Sequence, residues 1–284
     1  VLLDDKKIKK FFAIQKQVSD ILWPIFNSPN RLPPLDLEGI TWHAHRIWKY
    51  PILWKWINRS LFDVLKHFEL EDFSPLIQYC NAISQITIQS DIWDCEAPFA
   101  LATLDYIFRG TGHIEGGVGI LANEMCRAVE NLGGEVQFSN RVKSISKRDS
   151  KWTVSARTGS YTCKNIVLNL LPQDVTQLLH NTEQKALFQQ RTNILTQQVE
   201  GGWGAAMLYL ILQDNETFPA EPIHFQGVYD VQKKFQEGNH IFCSLSSRSE
   251  SQDKISRTYK CPKGERVATL STHVDMSQLQ QMSK

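Results

Sequence analysis

With 284 residues, 42% hydrophobic and 21% charged, the chain has a globular composition and enough apolar side chains for one large or two ordinary domains. Lys and Arg number 31 against 30 Asp and Glu, and a net charge of +1 offers no global field for nucleic acid or acidic substrates. Six cysteines (Cys80, Cys95, Cys126, Cys163, Cys243, Cys261) stand far apart without a C-x-x-C pair, which argues for buried thiols in a reducing compartment rather than a disulfide frame or zinc site.

The chain opens on Val1 and the charged run Asp4-Asp5-Lys6-Lys7, with no signal-peptide pattern, and reads as an internal piece of a longer protein. Its longest apolar run, Ala205 to Leu212, is too short for a bilayer, so a cytoplasmic or peripheral-membrane protein is expected.

Residues 1–108 read as helices punctuated by prolines. Ile8, Phe11, Phe12, Ile14, Val18, Ile21 and Leu22 keep helical spacing, and Pro24 and Pro29 are expected to interrupt it. A second helical region spans about Gly39 to Phe68 with a break at Pro51, and others begin near Ser74-Pro75 and Ala97-Pro98. Four tryptophans lie between Trp42 and Trp56, interleaved with Arg46, Lys49 and Lys55. Two arrangements fit them: a helical core with its cations outward, or a membrane interface with half-buried rings and wet charges. His43-x-His45 has no supporting carboxylate or thiol, and no metal site is expected.

After residue 108 the pattern changes. His113-Ile114-Glu115-Gly116-Gly117-Val118-Gly119 leads into an amphipathic helix through Ile120, Leu121, Met125, Val129 and Leu132, ended by a left-handed residue at Gly133 or Gly134. Strands are expected at Glu135–Phe138, at Val142–Ile145, and in a hairpin of Trp152–Ala156 with Tyr161–Cys163. Ile166-Val167-Leu168 reads as a strand covered on both faces. Gln173 to Leu187 is helical. Trp203–Leu212, His224–Tyr229, His240–Ser246 and Arg266–Val274 then suit an antiparallel sheet.

Glycines before a helix let another group approach the backbone, and the helix start favours negative charge. The run GHIEGGVGILANEMCRAVENLGGEVQFSNRVKSISKR followed by NIVLNLLPQDVTQLL resembles the phytoene desaturase and carotenoid isomerase family of FAD-dependent oxidoreductases. That family includes retinol saturases and is related to flavin amine oxidases. HIFCSLSSRSESQ and PKGERVATLSTHVD are similar to its substrate-domain strands, so the resemblance covers about residues 100–284.

The resemblance implies an α/β (α+β) flavoprotein fold in which the chain passes more than once between two domains. Residues 1–108 would be a helical substrate-side region, 109–172 part of the FAD-binding domain, and 173–284 a substrate domain with an antiparallel sheet. It implies FAD as cofactor, with Gly116 and Gly117 as the paired glycines that re-enter the FAD domain and the backbone of Val142 toward the adenine. It implies redox chemistry on an apolar polyene: a lipophilic small-molecule substrate undergoing desaturation, saturation or isomerisation.

The family's N-terminal G-x-G-x-x-G is not in this sequence, so the isolated chain is expected to be colourless and inactive. No catalytic residue is designated; Glu115 and His113, beside the glycines, are the polar groups nearest the expected flavin. No G-x-S-x-G, P-loop or H-E-x-x-H supports a hydrolase, kinase or zincin. Two rivals stay open: a flavin amine oxidase, and a non-catalytic membrane-peripheral protein on a degenerate flavoprotein fold.

Overall fold

The computed structural model describes residues 5–110, 112–114, 117–180, 182–200, 202–233, 235, 238–251 and 264–277. The chain divides into two compact units, Val1–Glu115 with Ala205–His273, and Gly116–Gly204 with Val274–Lys284.

The first unit begins with helices α1 (Asp5–Phe26), α2 (Leu37–Ala44), α3 (Pro51–Trp56), α4 (Leu61–His67), α5 (Ser74–Ile88), α6 (Ala97–Thr103) and α7 (Tyr106–Arg109). Pro24 lies inside α1 rather than ending it. Its ring falls in the last turn, where the helix has only two residues still to run, so little of the hydrogen-bond ladder is lost. The region expected from Gly39 to Phe68 divides into α2, a 3-10 turn at Ile47–Lys49, α3 and α4. Local chemistry sets these starts. Asp36 accepts a hydrogen bond from the Gly39 amide at 2.7 Å to cap α2. Ser60 and Asp63 form a reciprocal capping box on α4. Prolines open α3, α5 and α6.

The apolar stripe of α1 closes a core with α4, α5 and α6 around Phe11, Val18, Leu61, Leu65, Ile83, Leu101 and Leu104. Polar ties fix it. Gln15 donates to the Leu101 carbonyl at 3.1 Å, and Trp23 Nε1 donates to the Ala102 carbonyl at 3.0 Å. Burial alone would raise the pKa of Asp105, but hydrogen bonds with Ser19 and Gln15 and the charge of Arg109 outweigh it and hold the carboxyl below its usual range.

The second unit starts with α8 (Val118–Asn131), a three-stranded antiparallel sheet of β1 (Val142–Arg148), β2 (Lys151–Ala156) and β3 (Ser160–Cys163), and helices α9 (Pro172–Leu178) and α10 (Thr182–Glu200). Gly133 takes the left-handed conformation (φ +83°) that ends α8. The hairpin register pairs Trp152 with Cys163 and Val154 with Tyr161. A small core joins Ile145 of β1 to Val175 and Leu179, flanked by Trp152, Ile166, Leu168 and Phe188.

Two expected strands do not form. Residues 135–138 are irregular and held by side chains, with the Tyr161 hydroxyl donating to Gln137 at 2.6 Å. At 166–168 the chain is also irregular and Val167 is 95% exposed, although Ile166 and Leu168 touch the small core. Each segment lacks a hydrogen-bonded neighbour strand among the described residues, and an apolar run without one gains no ladder.

From Ala205 the chain is again in the first unit. Strands β4 (Trp203–Gln213), β5 (Ile223–Val228), β6 (His240–Leu245) and β7 (Glu265–Asp275) make a sheet in the order β4-β7-β6-β5. β5 with β6 and β6 with β7 are antiparallel. The fully buried Arg266 ties loops to this sheet, donating to the carbonyls of Pro219 (2.6 Å), Glu221 (3.1 Å) and Ser246.

Candidate functional site: a glycine turn and an apolar sheet face

Gly117 has φ +88° and ψ 165°, a region open in practice only to glycine, and it directly precedes α8. No side chain caps this helix, and nothing lies within 4 Å of where a Cβ on Gly117 or Gly119 would stand. The Ile120 amide donates to the Gly117 carbonyl at 3.1 Å, and no side chain caps the positive end of the helix, where an anionic group is favoured. Gly116 and Glu115 lie outside the described residues.

Val142 opens β1 opposite Ala156, next to a register irregularity between Val142 and Ser144, and is half-buried at the edge of the small core. Gly117 and Val142 thus both lie in the second unit. His113 lies in the first, where its Nε2 meets Glu250 Oε1 at 2.5 Å. Glu250 also accepts from the Ser247 amide at 3.2 Å, so His113 has a local structural partner.

The histidines at 43 and 45 are likewise engaged. His43 Nδ1 is 2.6 Å from the Tyr50 hydroxyl and its Nε2 is 3.0 Å from the Arg31 carbonyl, while His45 Nδ1 is 2.7 Å from the Thr41 carbonyl. Five cysteines are free thiols among the described residues. Burial raises the Cys80 pKa strongly and pushes Cys95 up to about 11, so neither offers a thiolate near neutral pH.

The sheet of the first unit has two dissimilar faces. Register and alternation place His224, Phe242 and His240 on one of them, and His240 Nε2 lies 3.0 Å from His273 Nδ1. Phe235 stacks on His240 with ring centroids 4.0 Å apart. Burial holds the His273 pKa below its ordinary 6.5, partly offset by the backbone of Gln85 on α5. The opposite face carries Phe225, Gly227, Ile241, Cys243 and Leu270. An open groove of about 670 Å³ is lined by Met207, Leu208, Gly227, Tyr229, Ile241 and Leu270, among others, and no Asp or Glu lines it. Sequence reading missed this groove. The alternation of Ile223, Phe225 and Gly227 was a usable signal, but the partners across the sheet come from β6 and β7, and only register identifies them.

Residues 59–258 match the family of flavin containing amine oxidoreductases, and the chain belongs to that family. No curated protein sequence matches it. Among solved structures it is similar to a redesigned putrescine oxidase triple mutant, at 12% identity and TM-score 0.50, covering 100% of this chain and 55% of that one. It is also similar to a CLA-producing fatty acid isomerase from P. acnes, at 9% identity and TM-score 0.47, covering 99% of this chain and 58% of that one. The chain spans just over half the length of these structures. The likeness to the putrescine oxidase agrees with the α/β flavoprotein fold expected from the sequence.

FAD is the cofactor that this membership implies. The residues present fit one part of it: a glycine in a conformation that other residues rarely adopt, a helix start without a side-chain cap, and open space beside the Cβ positions of Gly117 and Gly119.

Proposed function

We propose that the chain forms part of an FAD-dependent oxidoreductase whose substrate is an elongated apolar molecule of the polyene class, undergoing desaturation, saturation or isomerisation. The observation that carries this is the groove on the β4-β7-β6-β5 sheet, apolar along Met207, Leu208, Ile241 and Leu270 and without a carboxylate in its lining. A hydrocarbon chain gains from such a surface through burial of its own area. A protonated amine would instead want an anion or an aromatic cage, and the lining offers only Tyr229 and the imidazole of His240, which is stacked on Phe235 and bonded to His273.

In this reading Gly117 and the first turn of α8 would hold negatively charged oxygens of the cofactor, and the backbone at Val142 would meet its adenine side. When bound, FAD supplies a two-electron hydride acceptor and donor. The groove residues orient the substrate and exclude water, which asks no acid–base pair of them.

The test uses the protein at its natural full length, loaded with FAD in its oxidised or its chemically reduced form and mixed without oxygen with either a carotenoid in detergent or a diamine. Flavin bleaching or product formation with the carotenoid alone is expected, with Ile241→Lys slowing turnover at least about tenfold through a charge buried in the groove. Reaction with the diamine alone would overturn the reading in favour of an amine oxidase.

A further inference from the structure

From Gly39 to Phe62 the chain carries Arg46, Lys49, Lys55 and Arg59 and no Asp or Glu, in a protein whose total charge is +1. The flanking Asp63 is committed to the cap of α4. None of the four cations forms an ion pair among the described residues. Large apolar side chains in the same stretch face solvent: Trp48 is 71% exposed, Trp54 63%, Ile47 58% and Ile40 52%.

Part of the stretch is rigidly built. Arg31 and Arg46 each lie over the ring of Trp42, at 4.5 and 4.1 Å from its centroid, and Trp56 is buried in the helical core with Lys55 over its ring. Trp48 and Trp54 are the two that remain outside. Each is followed directly by a lysine, and the Lys49 ammonium lies 5.2 Å from the Trp48 ring. An open recess of about 560 Å³ beside them is lined by Trp42, His45, Arg46, Trp48 and Lys49, with Glu38 the carboxylate on its wall.

We propose that this surface, α2 through α3, docks the protein peripherally on an anionic lipid bilayer. Trp48 and Trp54 enter the interface, and Arg46, Lys49, Lys55 and Arg59 meet lipid phosphates. Indole rings beside cations match the layered polarity of a bilayer interface, apolar below and anionic above. A protein partner fits less well, because protein interfaces are depleted in lysine around their aromatic anchors. The contact is peripheral in kind, since no helix among the described residues is long and apolar enough to cross a membrane.

The experiment is co-sedimentation of the full chain with phosphatidylcholine vesicles, with and without phosphatidylglycerol. Pelleting with the anionic vesicles alone is expected, weakening as salt is raised, with tryptophan emission shifting to shorter wavelength. The double variants Trp48→Ala/Trp54→Ala and Lys49→Glu/Lys55→Glu should each lower apparent affinity by about tenfold or more, and Trp48→Phe/Trp54→Phe by less. All replaced side chains are solvent-facing, so circular dichroism should report an unchanged fold. Four results would overturn the proposal: no pelleting, equal pelleting on neutral vesicles, insensitivity to both double variants, or a protein complex lost with Trp48→Ala/Trp54→Ala while vesicles are ignored.

Discussion

Helices α5 and α8 are nearly equal in length, at 15 and 14 residues, yet α5 has eight buried residues and α8 has none. The difference does not lie in their patterns. On α8, Val118, Leu121, Met125 and Val129 form a clear apolar stripe, and all four are exposed. On α5 the buried set even includes Gln78, Asn81, Ser84 and Gln85. An apolar stripe therefore says that a helix needs a partner; where the partner is, only the packing shows. In the first unit α1, α4 and α6 supply it, and in the second the described residues leave the stripe of α8 open.

The sharpest way to break this comparison is in the closed core. Phe11→Ala should cost about 3–5 kcal/mol, measured by chemical denaturation, because a fully buried ring among Phe12, Phe68 and the core leucines leaves a cavity. A loss under about 1 kcal/mol would mean that the helical core is as loose as the surface of α8. Next in size is Arg266→Ala in the sheet of the same unit. It removes a fully buried cation that satisfies three carbonyls, and a loss of about 3 kcal/mol is expected. Arg266→Lys should recover only part, since an ammonium cannot reproduce the planar fork.

Gly117→Ala has a smaller effect on stability and a larger one on cofactor. Its backbone conformation costs an alanine about 1–3 kcal/mol, or else the turn rearranges. FAD occupancy of the full-length protein should fall while the melting of the helical core stays unchanged; unchanged occupancy would remove Gly117 from the proposed cofactor site. The pH dependence comes from His273. Its folded pKa lies below 6.5, so the unfolded chain takes up the proton first as pH falls. The stabilisation is complete above pH 6.5 and is lost as pH drops toward the folded pKa. Thermal melts through that window should show the loss, and His273→Gln should flatten it.

These sites also show what was legible in the amino-acid order. Prolines marked the starts at Pro75 and Pro98 because that signal acts within one turn and needs no tertiary partner to be read, whereas the equally local capping box of Ser60 with Asp63 went unread. The hairpin of β2 and β3 was legible for the same reason, its two halves being separated by a short turn. The strands expected at 135–138 and 166–168 depended on a neighbour that local pattern cannot supply, and there the reading was wrong. The groove was illegible for a related reason, since Gly227, Ile241 and Leu270 come from three strands and meet only through register. Of the cofactor candidates, Gly117 was visible as a glycine before an amphipathic helix. Nothing in the side chain of Val142 distinguishes a backbone contact from ordinary packing.

The smallest expected effect separates the two regions most directly. Met125 lies mid-way along the apolar stripe of α8 and is exposed. In the chain of residues 1–284, Met125→Glu should therefore shift stability by no more than about 0.5 kcal/mol, as an ordinary surface change does. If the stripe packs against other parts of the natural full-length protein, the same substitution there buries a carboxylate without a partner and should cost several kcal/mol and much of the bound FAD. A large effect in both settings would mean that the stripe of α8 is already covered within these 284 residues, and the contrast with α5 would fall. A negligible effect in both would make the stripe a solvent-facing surface of the whole protein.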